Sequence, residues 1–300
     1  MSDRIAVLGL GAMGLPMALR LAETAPVRGF DAVDAARRRA AEQGLDVRAA
    51  ATDAVAEADV VLLAVRNGAQ LQDALLGEDG VAERLAPGAV VLLASTVGVD
   101  AVRATAAALE DRGIALVDAP LSGGPVRARE GDLLILVGGA PDAVDRVRPV
   151  IDRLGSTVTV VGGHPGDGQA LKTVNQLLCG VHIAAAAEAL ALADALGLDR
   201  RSALEALGRG AAGSFMLGNR GPRMLEAYDG DGAEVLSRLD IFVKDLGLVG
   251  DAARAAGLAT PVAAAAEQLF LLGQAQGLAE ADDSAVIRVV APRRASEQGG

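Results

Sequence analysis

Residues 5–14 read Ile5-Ala6-Val7-Leu8-Gly9-Leu10-Gly11-Ala12-Met13-Gly14, a short apolar run followed by three closely spaced glycines. The apolar run is typical of a buried strand, and Met13–Thr24 has the apolar spacing of a helix. Between a strand and a helix, such glycines allow a tight turn, the close approach of a pyrophosphate, and close packing of the helix. The stretch predicts a dinucleotide-binding turn, with cofactor-binding residues Gly9, Leu10, Gly11, Ala12, Met13 and Gly14.

Asp31 ends the next apolar run, Val27–Asp31, 20 residues after Gly11. A carboxylate at this place accepts hydrogen bonds from the ribose hydroxyls of NAD and repels the 2′-phosphate of NADP. Ala32 follows, where a basic side chain would favour NADP. We interpret the later run Arg37-Arg38-Arg39 as the solvent-exposed face of a helix. The sequence therefore predicts NAD as the cofactor.

The first half of the chain alternates short apolar runs with amphipathic, helix-like stretches. Nearly continuous apolar strands that alternate with helices indicate a mainly parallel sheet covered by helices on both faces. This is the pattern of a Rossmann-type doubly wound α/β domain. The predicted strands are Arg4–Leu10, Val27–Asp31, Asp59–Val65, Ala89–Ala94, Ile114–Asp118, Leu133–Val137 and Thr157–Val161.

The pattern changes after Gly162-Gly163-His164-Pro165-Gly166, beyond which we expect helices only. The stretch from Gln169 to Leu196 is apolar nearly all round, which predicts one long helix buried on several sides. We therefore expect an NAD-binding domain over 1–163 and an all-helical domain over 164–292. A long interdomain helix at 168–196 joins them, and a flexible tail is expected at 293–300. The other predicted helices of the second domain are Arg201–Arg209, Arg223–Tyr228, Asp240–Ala256 and Val262–Ala275.

Composition excludes several classes of protein. Of 300 residues, 51% are apolar, which excludes wholesale disorder, and the net charge of −11 argues against a nucleic-acid partner. No run of about 18 residues is uninterrupted by charge, so no membrane span is predicted. The single cysteine, Cys179, fits a reducing compartment, and the chain has no basic leader before the first strand. We expect a cytoplasmic protein.

Lysine is scarce, because Lys172 and Lys244 are the only two among 28 basic residues. Arginine replaces lysine in most surface roles, but its guanidinium does not lose its proton in proteins. Lys172 and Asn175 share one face of the predicted long helix, in surroundings that are otherwise apolar. Burial lowers the pKa of a lysine and makes it a usable proton donor or acceptor. The alternative is a lysine that merely extends its ammonium group to solvent.

Three other groups have both a functional and an ordinary interpretation. Ser122 with the backbone of Gly123 and Gly124 can bind a carboxylate, or the segment is a simple turn. Lys244 lies in apolar surroundings, although it could form a surface ion pair with Asp240. Cys179 and His182 could form a Cys–His pair or a metal site, but we interpret them as core residues and predict no metal site.

Taken together, these motifs resemble the β-hydroxyacid dehydrogenase family, which includes 3-hydroxyisobutyrate dehydrogenases and tartronate semialdehyde reductases. The resemblance runs from Gly9 to about Val290. It implies that Lys172 is catalytic and that Ser122, Gly123 and Gly124 hold the carboxylate of a small anionic hydroxy acid. It further implies that Asn175 orients the substrate and that Lys244 lies by the nicotinamide and the substrate. Val65 and Thr96 are the further cofactor-binding residues that it implies.

Within this family, residues 176–185, 240–249 and 282–287 resemble the L-threonate dehydrogenase branch. The resemblance implies NAD-dependent oxidation of the 2-hydroxyl of a four-carbon sugar acid to a 2-oxo acid. The chain has Asn175 where members of that branch can carry histidine, so 3-hydroxyisobutyrate and tartronate semialdehyde remain alternative substrates. Imine reductases resemble the family in outline but replace the lysine, and a non-catalytic relative would be free to lose it. The apolar long helix predicts a homodimer or homotetramer formed through the helical domain.

Overall fold

The computed structural model describes residues 3–230 and 232–291. The chain divides into two compact units, Met1–Lys172 and Thr173–Gly300. The first unit contains the sheet, and the second is built from helices. The fold class predicted from the sequence is therefore confirmed. The predicted tail at 293–300 lies outside the described residues.

The first unit is built on one nine-stranded sheet. Its strands are β1 Ile5–Leu8, β2 Val27–Phe30, β3 Asp46–Val47, β4 Val60–Leu63, β5 Val90–Leu93, β6 Ala115–Asp118, β7 Leu121–Ser122, β8 Leu133–Gly138 and β9 Gly155–Gly162. Their order across the sheet is β3-β2-β1-β4-β5-β6-β8-β7, and β9 pairs with β8. Strands β1 to β6 are parallel, and β8 runs antiparallel to β6 and β7.

Successive residues of the central strands belong to two different cores. Ile5 and Val7 of β1 pack into one apolar cluster, whereas Ala6 and Leu8 pack into another on the opposite face. Because side chains alternate across a strand, both faces of the sheet must be covered. The covering helices of this unit are α1 Gly14–Ala22, α2 Asp34–Glu42, α3 Ala51–Val55, α4 Gly68–Leu76, α5 Val99–Glu110, α6 Gly124–Glu130 and α7 Pro141–Leu154.

The second unit has its own apolar core, in which the rings of Phe242 and Phe270 stack with centroids 5.3 Å apart. Its helices are the greater part of α8 Asp167–Ala195, then α9 Arg200–Arg209, α10 Phe215–Glu226, α11 Leu239–Ala255, α12 Pro261–Ala275 and α13 Ile287–Val290. The units divide at Lys172, nine residues beyond the predicted boundary at 163, because the first turn of α8 is bonded to the sheet.

The predicted helix at Arg223–Tyr228 is wrong in its start. Helix α10 begins at Phe215, where the hydroxyl of Ser214 accepts a 3.0 Å hydrogen bond from the N–H of Leu217. Pro222 lies inside this helix, although a proline there removes a backbone donor. The two-residue strands β3 and β7 were not predicted, since they are too short to show a period.

Helix α8 is less buried than its composition predicted. Val174 and Leu178 are 57% and 50% exposed, and Leu192 is exposed farther along the same helix. Within the described residues, α8 is the one helix long and apolar enough to cross a membrane by length and composition. Core helices of soluble proteins can have the same length and apolar composition. An uncovered apolar surface on α8 is what a second protein chain would bury.

Candidate active site

The turn between β1 and α1 has little room for side chains. Gly9 has a φ of +97°, and a Cβ atom there would lie 2.3 Å from the carbonyl oxygen of Ala64. A Cβ on Gly14 would lie 1.8 Å from the carbonyl oxygen of Gly9, whereas nothing lies within 4 Å of a Cβ on Gly11. No side chain in the described part of the chain caps α1 at Met13. The turn thus leaves open space before a helix N-terminus, the arrangement that a pyrophosphate requires.

Asp31 follows β2 and is bonded to this turn. Its carboxylate accepts a 2.7 Å hydrogen bond from the N–H of Leu10 and a 2.8 Å hydrogen bond from the N–H of Val33. These bonds hold the carboxylate beside the glycine-rich turn. This is the position from which it can accept the ribose hydroxyls of NAD.

The interpretation of Arg37-Arg38-Arg39 as a solvent-exposed face holds for Arg38 but is wrong for Arg37. The guanidinium of Arg37 lies 5.6 Å from the ring centroid of Phe30 and donates a 2.5 Å hydrogen bond to the carbonyl oxygen of Asp31. Arg39 is exposed, but its side chain also reaches back, donating to the carbonyl oxygen of Leu10 at 3.4 Å. Arg38 pairs with Asp34, as Arg37 also does at 3.2 Å. Two cationic groups therefore lie beside the edge that Asp31 occupies.

The other predicted cofactor-binding residues of the sheet, Val65 and Thr96, lie at the same edge. Val65 follows β4 and Thr96 follows β5, and Asp118 ends the neighbouring strand β6. These three strands are parallel neighbours, so their carboxyl ends meet along one edge. Ligands of doubly wound sheets bind at this edge. The structure therefore brings the predicted cofactor residues of the first unit together.

The segment Ser122–Gly124 connects β7 to α6. Ser122 pairs with Leu134 of β8, and the two glycines that follow have φ values of +146° and +78°. Nothing lies within 4 Å of a Cβ on Gly124. The predicted carboxylate-binding residues thus form a glycine turn at the start of a helix, with open space beside it.

Asp118 has no solvent exposure and holds the beginning of α8. Its carboxylate accepts 2.7 Å hydrogen bonds from the N–H groups of Gly166 and Gln169. Burial raises the pKa of Asp118 to about 6, although these two hydrogen bonds oppose the rise. No role for this carboxyl group was predicted from the sequence.

Gln169 is a second polar residue that the sequence analysis missed. It is fully buried, and its side-chain oxygen accepts hydrogen bonds of 3.0 Å and 3.2 Å from the N–H groups of Val97 and Gly98. Its side-chain nitrogen donates a 2.9 Å hydrogen bond to the carbonyl oxygen of Ser95. A glutamine in an otherwise apolar helix was the available signal, but its partners lie more than 70 residues away.

Lys172 is only 5% exposed, so it does not extend its ammonium group into bulk solvent. Three residues later on α8, the Asn175 side chain donates hydrogen bonds to the side-chain oxygen of Gln176 at 2.9 Å and to Sγ of Cys179 at 3.4 Å. The i, i+3 spacing places Lys172 and Asn175 on one face of the helix. The expectation of a buried lysine beside an amide is therefore confirmed in the structure.

Lys244 lies on α11 in the second unit. Its ammonium nitrogen is 2.6 Å from a carboxylate oxygen of Asp245, and the side chain of Gln176 donates a hydrogen bond to the other oxygen. Asp245 is buried, whereas Lys244 keeps 28% of its side chain exposed. The lysine charge is therefore fixed in place by a buried carboxylate. Among the described residues, no three His, Cys, Asp or Glu side chains cluster in a way that could hold a metal ion.

Comparison with known proteins assigns both parts of the chain. The sequence profile of the NAD binding domain of 6-phosphogluconate dehydrogenase matches residues 4–162. The profile described as NAD-binding of NADP-dependent 3-hydroxyisobutyrate dehydrogenase matches residues 166–290. These two matches cover nearly the whole described chain.

Individual relatives agree with these profiles. The L-threonate dehydrogenase of Cupriavidus necator is 37% identical over 96% of each chain. The NAD-dependent L-serine dehydrogenase of Pseudomonas aeruginosa is 34% identical, over 96% of this chain and 98% of its own length. The crystal structure of 3-hydroxyisobutyrate dehydrogenase from Salmonella typhimurium superposes with a TM-score of 0.86 at 36% identity, covering 96% of this chain and 100% of that one. The chain belongs to the β-hydroxyacid dehydrogenase family of 3-hydroxyisobutyrate dehydrogenase-like proteins, and it is an NAD-dependent oxidoreductase.

Proposed function

We propose that the chain oxidises L-threonate at its 2-hydroxyl group to the 2-oxo acid, with Lys172 as the general acid and base. The observation that carries the mechanism is the buried lysine on the first turns of α8, in a chain with only two lysines. The substrate is supported by the 37% identity to L-threonate dehydrogenases over nearly the full length.

The cofactor is held by the carboxyl edge of the sheet. Gly9, Leu10, Gly11, Ala12, Met13 and Gly14 form the turn and helix start that receive the pyrophosphate, and Asp31 accepts hydrogen bonds from the ribose hydroxyls. Val65 and Thr96 extend this surface along the edge, and Lys244 is the further residue that we propose for cofactor binding. When bound, NAD supplies the acceptor for the hydride.

The substrate is oriented by three groups. Ser122 and the backbone of Gly123 and Gly124 bind its carboxylate, because positive-φ glycines expose successive N–H groups to an anion. The amide of Asn175 hydrogen-bonds the substrate hydroxyls, and the positive charge of Lys244 favours the binding of an acid. Against a net charge of −11, such local cationic and N–H groups are needed to bind an anion.

Lys172 moves the proton. In its neutral form it accepts the proton of the hydroxyl group as the hydride leaves carbon, and in reduction it returns that proton. A lysine is suited to this step because, unlike arginine, it readily becomes neutral when taken from water. General acid–base catalysis of this kind contributes about 10²- to 10⁴-fold to a rate.

A substrate panel tests the proposal. L-threonate, D-threonate, 3-hydroxyisobutyrate, L-serine and glycerate are offered with NAD, and tartronate semialdehyde is offered with NADH. We expect the highest kcat/KM for L-threonate. A higher kcat/KM for any other substrate would overturn the assignment of L-threonate and leave the family intact.

3-Hydroxyisobutyrate is the second candidate. It is favoured by the structural match to a 3-hydroxyisobutyrate dehydrogenase at a TM-score of 0.86. Asn175 supports it too, because the wider family has asparagine at the position where the L-threonate branch can carry histidine. In the same panel, this candidate requires that 3-hydroxyisobutyrate exceed L-threonate in kcat/KM.

We also propose that the protein works in the cytoplasm as a homodimer or homotetramer formed through the helical domain. The support for the assembly is the exposed apolar surface of α8, where Val174, Leu178 and Leu192 are each at least half exposed. The single cysteine, which fits a reducing compartment, supports the cytoplasm. Such a surface is stabilised when a symmetric partner covers it.

A further inference from the structure

Gln169 connects the segment after β5 with the helix that carries Lys172. Its side-chain oxygen accepts from the N–H groups of Val97 and Gly98, and its side-chain nitrogen donates to the carbonyl oxygen of Ser95. Thr96 lies between these partners in the chain. The amide therefore binds the backbone on both sides of Thr96.

The same residue is fixed from its own backbone. The N–H of Gln169 donates a 2.7 Å hydrogen bond to Asp118, at the end of the neighbouring strand β6. Lys172 is three positions after Gln169, so both side chains project from a similar face of α8. The first turn of α8 is thus bonded to the segment after β5 through the side chain of Gln169 and to the end of β6 through its backbone N–H.

We propose that Gln169 is a positioning residue that fixes Thr96 and Lys172 relative to each other. Coenzyme affinity and proton transfer then both depend on one buried amide. The inference rests on the proposed roles of these two residues. The amide touches neither substrate nor coenzyme in this scheme. It acts through the Ser95–Gly98 backbone on one side and through α8 on the other.

The chemistry of the site requires a group that both accepts and donates. The backbone presents two N–H donors and one carbonyl acceptor, and a primary amide matches all three. A leucine leaves all three buried groups without a partner, which is costly. An ionised glutamate keeps the N–H bonds but turns an anion toward the carbonyl oxygen of Ser95. A protonated glutamic acid again has a donor and an acceptor, so it can replace the amide at low pH.

Leucine and glutamate at position 169 should therefore differ in how coenzyme binding depends on pH. A residue with a merely structural role would not show this difference. The dissociation constant of NADH is measured by its fluorescence for the parent, Gln169→Leu and Gln169→Glu, from pH 5.5 to pH 8.5, together with kcat. For Gln169→Leu we expect the Kd of NADH to rise about tenfold or more and kcat to fall at least as much. For Gln169→Glu we expect the ratio of its Kd to that of the parent to fall toward one as the pH decreases.

Thr105→Val is the matched control. Thr105 is fully buried on α5 of the same unit, and its hydroxyl donates only to the carbonyl oxygen of Ala101 within that helix. The control should lower the melting temperature while leaving the Kd of NADH and kcat within twofold of the parent.

Three results would overturn the inference. They are parental values for both constants in Gln169→Leu, a Kd change without a kcat change, and equal losses in Thr105→Val at the same melting temperature. NADH binding needs no substrate. A parent protein that oxidises no hydroxy acid would therefore refute the proposed function, while the Kd series would still decide whether Gln169 organises the coenzyme segment.

Discussion

Asp118 accepts a 2.7 Å hydrogen bond from the backbone N–H of Gln169, three residues before Lys172. The carboxyl group is fully removed from solvent, and its second oxygen accepts the N–H of Gly166. A buried carboxylate is stable only when such donors replace its lost hydration. The strand that ends at Asp118 thus fixes the start of α8, and the ionisation of this carboxyl affects the stability of the fold.

The first prediction is a pH dependence of stability. Burial raises the pKa of Asp118 in the folded protein to about 6 from 3.8, so the folded state retains a proton that the unfolded state releases. The contribution of this carboxyl to the free energy of unfolding therefore decreases as the pH rises from about 4 to about 6. The difference of about two pKa units corresponds to about 3 kcal/mol.

Asp118→Asn isolates this effect because asparagine does not titrate. Urea unfolding of both proteins at several pH values between 4.5 and 7.5 should show the parent losing stability relative to the variant as the pH rises. Two curves that stay parallel over this range would show that Asp118 titrates with its ordinary pKa.

Much of the fold could be predicted from local patterns, whereas the bonds that position the site could not. Alternating apolar strands and the Gly9–Gly14 turn indicated the sheet domain, because both signals lie within a few residues. The bond from Gln169 to Ser95 crosses 74 residues and leaves no periodic trace. The side chain of Arg37 folds back on Phe30 within a helix whose sequence reads as exposed. Such contacts depend on tertiary packing, which local spacing does not specify.

The second prediction concerns coenzyme choice. Removing the Asp31 carboxylate takes away the charge that repels the 2′-phosphate, while the guanidinium of Arg37 stays beside it. We expect Asp31→Ala to raise the ratio of kcat/KM for NADP to that for NAD by about 10- to 100-fold, since a charge-assisted contact contributes about 1.5–3 kcal/mol. Initial rates with both coenzymes measure this ratio.

The double variant Asp31→Ala/Arg37→Ala should lose most of that gain, because it removes the cation as well. Arg38→Ala is the control, since Arg37 and Arg38 both pair with Asp34 but Arg38 is exposed, whereas Arg37 also bonds to the carbonyl oxygen of Asp31. If the double variant kept the whole increase in the ratio of kcat/KM for NADP to that for NAD, Arg37 would have no part in coenzyme choice.

The third prediction concerns assembly. Val174 and Leu178 lie one turn apart on α8 and are exposed, so a partner chain would bury them. We expect light scattering to give at least twice the 30.2 kDa mass of the chain for the parent. Val174→Glu/Leu178→Glu should lower that mass to one chain. Val160→Glu, on the exposed side of β9, should keep the parental mass, and a parent of one chain would reject the assembly.

The fourth prediction concerns the two lysines. Lys172→Arg keeps the positive charge of a 5% exposed side chain but removes a base that can become neutral. We expect kcat to fall about 10²- to 10⁴-fold, the usual contribution of general acid–base catalysis, while the Kd of NADH changes less than fivefold. Lys244→Arg is the comparison, because its charge is held by Asp245 and an arginine can keep that ion pair. It should raise KM for the hydroxy acid and leave the pH dependence of kcat/KM unchanged.

The decisive measurement is the pH profile of kcat/KM for the parent and both variants. Near-parental kcat in Lys172→Arg, with the same pH profile, would mean that Lys172 only supplies charge and that another group transfers the proton.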